Sequence, residues 1–353
     1  MKVILNIFRD LLIRLLPKKL VKYFIEPRTF VWLVHPRDAA DITKKISLLK
    51  FFPDNFVIGI TKFFWPFIVS GFFSEQNKLK GYVIAVPLVP QQISSNQKLS
   101  IKKTIQALTF ADKIGAKYIS LGGFLPSIVY RNELNKKFNM EFFDGTNLLA
   151  RLVVKKIEDI STEDKLNSKN ITFGIIGATT KIGAILTKLL IQQNIRQIIL
   201  FGKTLEHLIN LKQECLEITR NVGIEISTDL SNLKKCNFVI LTAYLVKDEE
   251  IIKYLKENTI FLSAIEPISP FVFELKKVRN DIKVIMGISI KTPGVSYRGY
   301  DFGLPKENSF ACVTEAIILI NDEYATKSVF ANDTKKSLRA IEDLFNKYKF
   351  AKV

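Results

Sequence analysis

The chain has 353 residues, of which 48% are apolar and 24% are charged, a balance typical of a folded globular protein and not of a disordered chain. At roughly 150 residues per domain, this length predicts two domains and excludes a single small module. Lysine and arginine number 52 against 34 acidic residues, and the net charge of +18 predicts an acidic partner. Nucleic acid, anionic lipid, a phosphorylated cofactor and an acidic protein all fit that description.

The three cysteines, Cys215, Cys236 and Cys312, are far apart and odd in number, which indicates neither a disulfide framework nor a zinc site and favours a reducing compartment. Charged residues interrupt the most apolar region, so no membrane-spanning helix is expected. The first apolar segment has charges inside it and no small-residue cleavage site, which makes it a poor signal peptide. We therefore expect a cytoplasmic protein, either soluble or peripheral on the inner face of the cell membrane.

The chain begins with an amphipathic helical pattern over residues 2–16, which Pro17 ends. The broad apolar side and the basic residues that follow are typical of a helix in the interface of an anionic membrane. A terminal helix docked on the protein's own surface fits the pattern equally well. Residues 1–28 are therefore predicted to be a basic amphipathic arm. Its polar face holds Lys2, Asn6, Arg9, Asp10 and Arg14, and its basic end holds Lys18, Lys19 and Lys22.

Strands and helices alternate after this arm, which predicts an α/β domain over residues 29–165. Strands are predicted over residues 30–34, 81–87 and 117–121, with helices from Asp38 and over residues 100–114, the second capped by Ser100. An aromatic stretch interrupted by prolines occupies residues 51–73. The polar segment 158–170 is the best candidate for a domain boundary.

The alternation is clearer over residues 166–290. Strands are predicted over residues 171–176, 197–201, 238–242, 259–262 and 283–286, and helices over residues 182–192, 204–221 and 249–255. This order predicts a doubly wound parallel sheet of Rossmann type. The C-terminal segment, residues 291–353, holds a helix after Phe310 and a charged helix over residues 333–349. The predicted fold class is thus α/β, an N-terminal α/β domain followed by a Rossmann-type domain and a C-terminal helical segment.

A dinucleotide-binding turn is predicted where the first strand of the second domain meets its helix. Its residues are Gly177, Ala178, Thr179, Thr180, Lys181, Ile182 and Gly183. Gly177 suits a tight turn, Gly183 suits close packing of helix on strand, and the helix N-terminus attracts a pyrophosphate. Thr180 stands where the middle glycine of the usual pattern would be. A glycine-rich turn without a ligand is the alternative.

The next strand ends at Gly202-Lys203-Thr204, with no carboxylate to bind a ribose 2′-hydroxyl. A cation there suits a 2′-phosphate, so Lys203 favours NADP(H) over NAD(H), unless it is an ordinary solvated lysine. Thr204 and Thr242, the latter at the end of the predicted strand 238–242, complete the predicted cofactor site.

Cys312 lies at the start of an apolar helix, where amide dipoles and cations lower the pKa of a thiol and make thiolate attack on an acyl carbon feasible. A buried, inert cysteine is the commoner case from spacing alone. Cys215 and Cys236 have only that second interpretation.

Several short motifs occur in an order that resembles one enzyme family. They are His35-Pro36-Arg37-Asp38, Val86-Pro87-Leu88-Val89-Pro90-Gln91, Leu121-Gly122-Gly123-Phe124 with Ser127, the nucleotide turn, and Ala311-Cys312-Val313-Thr314-Glu315. Over residues 29–325 the chain is similar to the aldehyde-forming long-chain acyl-ACP reductases of cyanobacteria and their bacterial relatives. The ordered set is specific, although each motif alone is weak.

The resemblance implies a two-stage reduction. Cys312 would take an acyl group from acyl carrier protein or coenzyme A as a thioester, and NADPH would reduce that thioester to a fatty aldehyde. It also implies that residues 29–165 are an acyl-substrate domain and that Gly122, Gly123, Phe124, Ser127 and Asn147 bind substrate. His35 is implied as a proton donor, or as a residue that only holds its loop.

The chain departs from the family pattern at three places. Asp144-Gly145-Thr146-Asn147 displaces the asparagine of a usual Thr-Gly-Asn by one position, Thr180 replaces the middle glycine, and Ser263-Ala264-Ile265-Glu266-Pro267 replaces Asp-Gly-Gly-Tyr-Pro. Altered substrate choice or reduced activity would follow. A dehydrogenase of the shikimate or amino-acid type, and a membrane-associated NADP-binding protein with impaired catalysis, stay open as alternatives. Nucleic-acid binding is not expected, since no recognised motif is present.

Overall fold

The computed structural model describes residues 2–75, 78–163, 171–193, 195–244, 249–299 and 302–320, with the single positions 340, 343 and 347. These residues form two compact units. The first holds residues 2–145 and 290–320, and the second holds residues 146–289.

The first unit is built around a mixed sheet with helices on it. Its helices are α1 (Lys2–Leu15), α2 (Lys18–Val21), α3 (Ala39–Lys45), α4 (Asp54–Thr61), α5 (Pro90–Ser95), α6 (Gln97–Lys113), α7 (Leu125–Arg131) and α8 (Leu134–Lys137), with a 3-10 turn at Ser47–Phe51. Its strands up to residue 145 are β1 (Phe30–Val34), β2 (Phe67–Ser74), β3 (Leu79–Ala85), β4 (Tyr118–Leu121) and β5 (Glu141–Phe143).

The chain returns to this unit after residue 289. The returning elements are β12 (Ser289–Lys291), β13 (Val295–Arg298), β14 (Asn308–Phe310) and α14 (Ala311–Ile320). The six-stranded sheet has the order β13-β2-β3-β1-β4-β5, and β12 pairs separately with β14. The strands β3, β1, β4 and β5 are parallel to one another. At one edge of the sheet β2 pairs antiparallel with β3, and β13 pairs antiparallel with β2. The central strand β1 therefore carries its side chains into the middle of the unit.

The second unit has an all-parallel six-stranded sheet. Its strands are β6 (Thr172–Ile176), β7 (Gln197–Phe201), β8 (Gly223–Ser227), β9 (Phe238–Leu241), β10 (Ile260–Ser263) and β11 (Lys283–Met286). Its helices are α9 (Thr146–Glu163), α10 (Lys181–Leu190), α11 (Leu205–Ile218), α12 (Glu249–Tyr254) and α13 (Pro270–Val278), with a 3-10 helix at Leu230–Lys235.

The strand order in this sheet is β11-β10-β9-β6-β7-β8, which becomes 3-2-1-4-5-6 when β6 is counted as the first strand. That is the order of a doubly wound dinucleotide-binding sheet. The central strands are buried along their whole length, as expected for a parallel sheet covered on both faces, and the rings of Phe173 and Phe238 lie 5.4 Å apart in its core. The predicted α/β fold class is confirmed.

Some local predictions differ from the structure. Ser100 does not cap its helix, because α6 begins at Gln97 and the side chain of Asn96 accepts a hydrogen bond from the Leu99 amide at 3.0 Å. Ser100 is buried one turn inside and donates to backbone carbonyls. Strand β2 lies in the aromatic stretch, where aromatic residues on both faces hide the alternation that marks a strand.

The division of the chain also differs from the predicted domains. The second unit begins at α9, so residues 146–163 belong with the nucleotide-type sheet, and α9 packs against α10. Residues 290–320 belong to the first unit, because β13 pairs with β2 and α14 packs on β4 and β5. The predicted helix over residues 333–349 lies outside the described residues except for positions 340, 343 and 347, which are helical. Among the described helices, none is both long and apolar enough to cross a bilayer.

Candidate functional site

Cys312 is the second residue of α14, a helix that packs on β4 and β5 of the first unit's sheet. Trp32 on β1 and Ser120 on β4 are register partners, so their side chains share one face. The Ser120 hydroxyl donates to the Cys312 carbonyl at 3.0 Å. The parallel pairing of β1 and β4 thus brings two polar side chains to the first turn of α14.

Burial raises the pKa of the half-buried Cys312 thiol to about 12. Nearby donors on Ser120, the Val313 amide and the Trp32 indole act in the opposite direction, because they favour the thiolate, but they do not offset the loss of solvent. The lowered pKa expected from the helix N-terminus is therefore not found. Burial also raises the pKa of Cys215 to about 11 and that of Cys236 to about 12, as expected for inert buried thiols.

The indole nitrogen of Trp32 is a buried donor without an acceptor among the described residues. It lies beside Gly122, where a Cβ would be 3.0 Å from Nε1, and close enough to Cys312 to stabilise the thiolate. A buried unsatisfied N–H costs about 1–3 kcal/mol. Such a group calls for an explanation, and an oxygen atom of a ligand held at Cys312 would supply the missing acceptor.

Aromatic rings surround this donor. The Trp32 ring lies 4.7 Å from Phe302, 5.7 Å from Phe310 and 5.8 Å from Tyr297 between centroids. Burial raises the pKa of the Tyr297 hydroxyl, which is hydrogen-bonded to Ser309 at 2.7 Å. The neighbourhood of the thiol is thus apolar, with very few polar groups, which is typical of a site for an apolar substrate.

Gly145 packs directly against the backbone of Cys312. A Cβ at Gly145 would lie 2.2 Å from the Cys312 amide nitrogen, and the φ of this glycine is +70°. The Gly145 amide donates to Glu315 at 3.0 Å, and Glu315 is only 3% exposed. Burial and the negative charge of Asp144, the residue before Gly145, raise the pKa of the Tyr130 hydroxyl. The Asp144-Gly145 segment is therefore clamped onto the first turn of α14.

His35 holds the neighbouring loop. Its Nδ1–H donates to the Pro36 carbonyl at 3.0 Å, and its Nε2 accepts from the Phe124 amide at 3.1 Å. Burial lowers the pKa of His35 to about 4, so the ring is neutral near pH 7. Gly123, with φ of +57°, has room only for hydrogen, because a Cβ would lie 2.2 Å from Nε2. This geometry favours a loop-positioning role for His35 over that of a proton donor.

The other predicted substrate residues divide between the units. Gly122 lies beside the Trp32 indole, and Phe124 stacks on His35 with centroids 5.6 Å apart. Ser127 is exposed on α7 and donates to the Phe124 carbonyl at 2.7 Å. Asn147 is buried in the first turn of α9, in the second unit.

The nucleotide-type turn of the second unit depends on both of its glycines. Gly177 has φ of +82°, and a Cβ there would lie 2.4 Å from the Ala243 side chain. A Cβ at Gly183 would lie 2.3 Å from the Gly177 carbonyl oxygen. Thr180 caps α10, since its hydroxyl accepts from the Gly183 amide at 3.1 Å. The replacement of the middle glycine therefore supplies a side-chain cap for the helix.

The carboxyl edge of this sheet gathers the remaining predicted cofactor residues. The Thr242 hydroxyl is 2.9 Å from the Ile176 carbonyl and 3.0 Å from that of Gly177, so it braces the turn. A Cβ at Gly202 would lie 3.5 Å from the Thr179 side chain, which places the loop of exposed Lys203 beside the turn. Ala178 is buried behind this turn. Lys181 and Ile182 open α10, and Thr204 precedes α11 without a side-chain cap.

No protein-family model matches the chain, and no curated protein matches its sequence. Among solved structures it is similar to L-tryptophan dehydrogenase from Nostoc punctiforme, at 12% identity and a TM-score of 0.35 over 91% of this chain and 89% of that one. It is also similar to one component of the dipicolinate synthase of Bacillus halodurans, at 14% identity and a TM-score of 0.35 over 61% and 69%.

A third similar structure is the lactate dehydrogenase of Eimeria maxima with NADH and oxamate, at 15% identity and a TM-score of 0.31 over 36% of this chain. The chain covers 46% of that dehydrogenase, less than half of its length.

Sequence reasoning missed Trp32, Ser120 and Tyr297 as members of the cysteine site. Trp32 and Ser120 lie inside predicted strands, and their indole and hydroxyl groups were the sequence signal that could have pointed to this site. The register that pairs them is set by the tertiary structure, and β13, which carries Tyr297, was not predicted.

Proposed function

We propose that this protein is an NADPH-dependent reductase that converts a long-chain acyl thioester to an aldehyde through an acyl intermediate on Cys312. The observation that carries the proposal is the unpaired, buried Trp32 indole N–H beside the Cys312 thiol, within an aromatic surrounding. The ordered family motifs, and the presence of Cys312 within them, support the same reaction.

The turn of the second unit leaves space for the backbone to approach a nicotinamide dinucleotide closely. Its turn has the two positions where a Cβ would clash, the helix α10 begins at that turn, and the strand order is that of dinucleotide-binding sheets. When bound, such a cofactor supplies a hydride. The turn 177–183 would hold its pyrophosphate and Lys203 its 2′-phosphate. The buried Ser263 hydroxyl at the end of β10, which lacks a partner among the described residues, is a further polar group at this edge.

In the first stage the Cys312 thiol loses its proton and the sulfur attacks the carbonyl carbon of the acyl thioester. The carbonyl oxygen takes up negative charge, and the Trp32 indole N–H donates to it. The bond to the carrier sulfur then breaks, and the carrier leaves as a thiol after taking up a proton. The raised pKa of the Cys312 thiol means that the substrate or a base must assist this deprotonation near neutral pH.

In the second stage the carbon of the Cys312 thioester would accept a hydride from the bound cofactor, and the bond to the Cys312 sulfur would break to release the aldehyde and the Cys312 thiolate. Trp32 again stabilises the oxygen of the tetrahedral intermediate. His35, neutral and hydrogen-bonded at both nitrogens, keeps the loop of Gly122 in place during both stages.

An acyl carrier protein or coenzyme A is the proposed acyl donor. Both carry negative charge, and the net charge of +18 on this chain favours their approach. The acyl chain itself would pack on the aromatic rings around Trp32.

Mass spectrometry of the intact protein tests the proposal. Incubation with acyl-ACP or acyl-CoA without NADPH should leave an acyl adduct on Cys312, and addition of NADPH should release aldehyde. Cys312→Ser should lose both signals, whereas Cys215→Ala, a change at a buried cysteine of the other unit, should keep them. Absence of adduct and aldehyde with every thioester contradicts the proposal. Full activity of Cys312→Ala would instead favour a dehydrogenase of the shikimate or amino-acid type.

A further inference from the structure

Helix α1 is docked with its polar face inward. Asp10 is only 1% exposed, accepts from the Ile68 amide at 2.7 Å and pairs with Arg9 at 2.7 Å. Arg14 donates to the carbonyls of Gln106 and Pro66. In an ordinary surface helix the apolar face is buried and the charged face meets water. Here hydrogen bonds, together with the buried Ile13, attach the helix to the sheet.

The apolar face of α1 is consequently turned to solvent. Leu15 is 78% exposed, and the neighbouring turn contributes Tyr23 at 74%. The other large apolar side chains exposed in this region are Phe8, Leu11, Leu12, Leu20 and Phe24. The helix thus docks on its own protein, as one interpretation of the sequence predicted, and it also exposes its apolar side; the membrane interpretation stays a prediction.

A second exposed apolar region follows the first strand, over residues 47–65. Phe51 is 86% exposed and Phe63 71%, although both lie in a folded region containing a 3-10 turn and α4. Phe52 and Phe56 stack on each other with centroids 4.9 Å apart and stay half exposed. Nothing in the composition of this stretch predicted that its aromatic residues would face outward.

The two regions meet at Trp65. The Arg14 guanidinium lies 5.4 Å from the centroid of the Trp65 ring, and Arg14 also donates to the carbonyl of the next residue, Pro66. Trp65 is 46% exposed. The exposed apolar residues within 8–24 and those of segment 47–65 are called the apolar surface below.

Most of the exposed large apolar side chains among the described residues lie in this surface. Of the eighteen large apolar side chains exposed there, thirteen belong to it. Scattered exposed apolar residues are ordinary, but a concentrated patch indicates an interaction site. The remaining five are Leu205, Ile209, Leu216, Phe273 and Val278, all in the second unit.

Charge decides which partner fits the apolar surface. Exposed lysines border it at both regions, and the acidic residues among them are few. A second copy of the same surface would bring like charges together. An anionic bilayer complements them, and aromatic residues with lysines are the side chains that membrane interfaces favour. The lysines are Lys18, Lys19, Lys22, Lys44, Lys50 and Lys62, and the nearby acids include Glu26, Asp54 and Asp112, which pairs with Lys18 at 3.0 Å.

We propose that the apolar surface binds the interface of an anionic lipid bilayer, with α1 lying along the membrane and the aromatic residues of segment 47–65 inserting beside it. The described helices are too short or too polar to span, so insertion is limited to the headgroup and upper acyl region. The inference does not depend on the proposed reaction, because its readout is binding and not turnover.

Vesicle co-sedimentation of the full-length protein tests the inference. Binding is expected to vesicles of phosphatidylcholine mixed with phosphatidylglycerol, to fall with added salt, and to be much weaker with phosphatidylcholine alone. The double variants Leu12→Ser/Leu15→Ser and Phe51→Ser/Phe63→Ser should each weaken binding by about tenfold or more. Their exposed positions leave the core of the unit intact.

The matched control is Phe273→Ser/Val278→Ser, which removes two apolar side chains of α13 in the second unit, 48% and 58% exposed, and should leave binding unchanged. Equal loss in the control and the test variants overturns the proposal. Binding that survives both test variants also overturns it, as does dimerisation in sedimentation velocity that those variants abolish. Deletion of residues 1–28 is a poorer test, because it removes the buried Ile13 and Asp10.

Discussion

The two candidate sites of this protein are built in opposite ways. The nucleotide-type turn of the second unit comes from seven consecutive residues, and its demands are met by backbone geometry at Gly177 and Gly183. The cysteine site of the first unit joins Trp32, Ser120 and Cys312, which lie far apart in the chain, and it depends on side-chain chemistry.

This difference decides how each site responds to change. A turn made of backbone tolerates variation in side chains as long as the close approaches persist, which is why Thr180 can replace a glycine and serve as a helix cap. A site assembled from distant strands depends on single groups, such as one indole N–H, whose loss nothing else offsets. The predictions below test this contrast, beginning with the largest effect.

The reactivity of Cys312 should depend steeply on pH. Its pKa is raised to about 12 by burial, so the reactive thiolate is the minor form at pH 7 and its fraction grows about tenfold per pH unit up to that value. Between pH 7 and 10 the rate of iodoacetamide alkylation at Cys312, followed by peptide mass spectrometry, should rise about 1000-fold. A rate that levels off below pH 9 would show that the helix N-terminus outweighs burial.

Gly145→Ala should destabilise the first unit by about 3–4 kcal/mol, because the added Cβ would clash with the Cys312 backbone and the alanine would have to adopt a left-handed φ. Both tryptophans, Trp32 and Trp65, lie in that unit, so their fluorescence in a urea titration reports on it alone.

Gly303→Ala is the matched control, since Gly303 has the same φ of +70° but no atom within 4 Å of a Cβ. It should cost only about 1 kcal/mol. Equal losses in the two variants would mean that backbone strain alone, and not the close approach to Cys312, fixes a glycine at position 145.

Trp32→Phe should slow acylation of Cys312 by about 100-fold, the usual effect of losing one donor to a developing oxyanion. The phenyl ring keeps most of the packing on Phe302 and Tyr297. Trp65→Phe removes the other indole, away from the thiol, and should leave the acylation rate from soluble acyl-CoA unchanged. An unaltered rate in Trp32→Phe would remove the indole from the mechanism.

Lys203→Ala should have the smallest effect, a loss of about tenfold in the preference for NADPH over NADH, measured by fluorescence titration of both cofactors. Lys276→Ala, at an exposed lysine on α13, controls for the overall loss of positive charge. If both variants change the preference equally, Lys203 is an ordinary solvated lysine.

Prediction from sequence was most successful where short-range pattern and structure coincide. The strands β7 and β11 have the predicted bounds, and the turn at Gly177 adopts the strand-turn-helix form that its pattern indicates. It failed where a long-range partner decides the outcome. The edge strands β8 and β13, short and of mixed polarity, gave no clear period. The cap of α6 was missed for a local reason, since Asn96 and not Ser100 accepts from a helix amide, that of Leu99.

The cysteine shows the same limit in chemical terms. Its place near the start of an apolar helix was predicted correctly, but the sign of its pKa shift was not, because helix position is local while burial depends on every element packed above it. His35 was recognised as a loop histidine or proton donor, and only the hydrogen bonds at both ring nitrogens favour the first role.

The sequence by itself determined the α/β class, the nucleotide-type turn, the candidate nucleophile and the amphipathic arm, because each follows from the periodicity or spacing of neighbouring residues. Only the tertiary structure decided that Trp32 and Ser120 meet Cys312, that Gly145 must be a glycine, and that α1 buries Asp10 while exposing Leu15. Strand register, close backbone approach and the direction of a docked helix are set by contacts between distant residues. Only in the folded chain do six of the lysines behind the positive net charge lie beside the apolar surface.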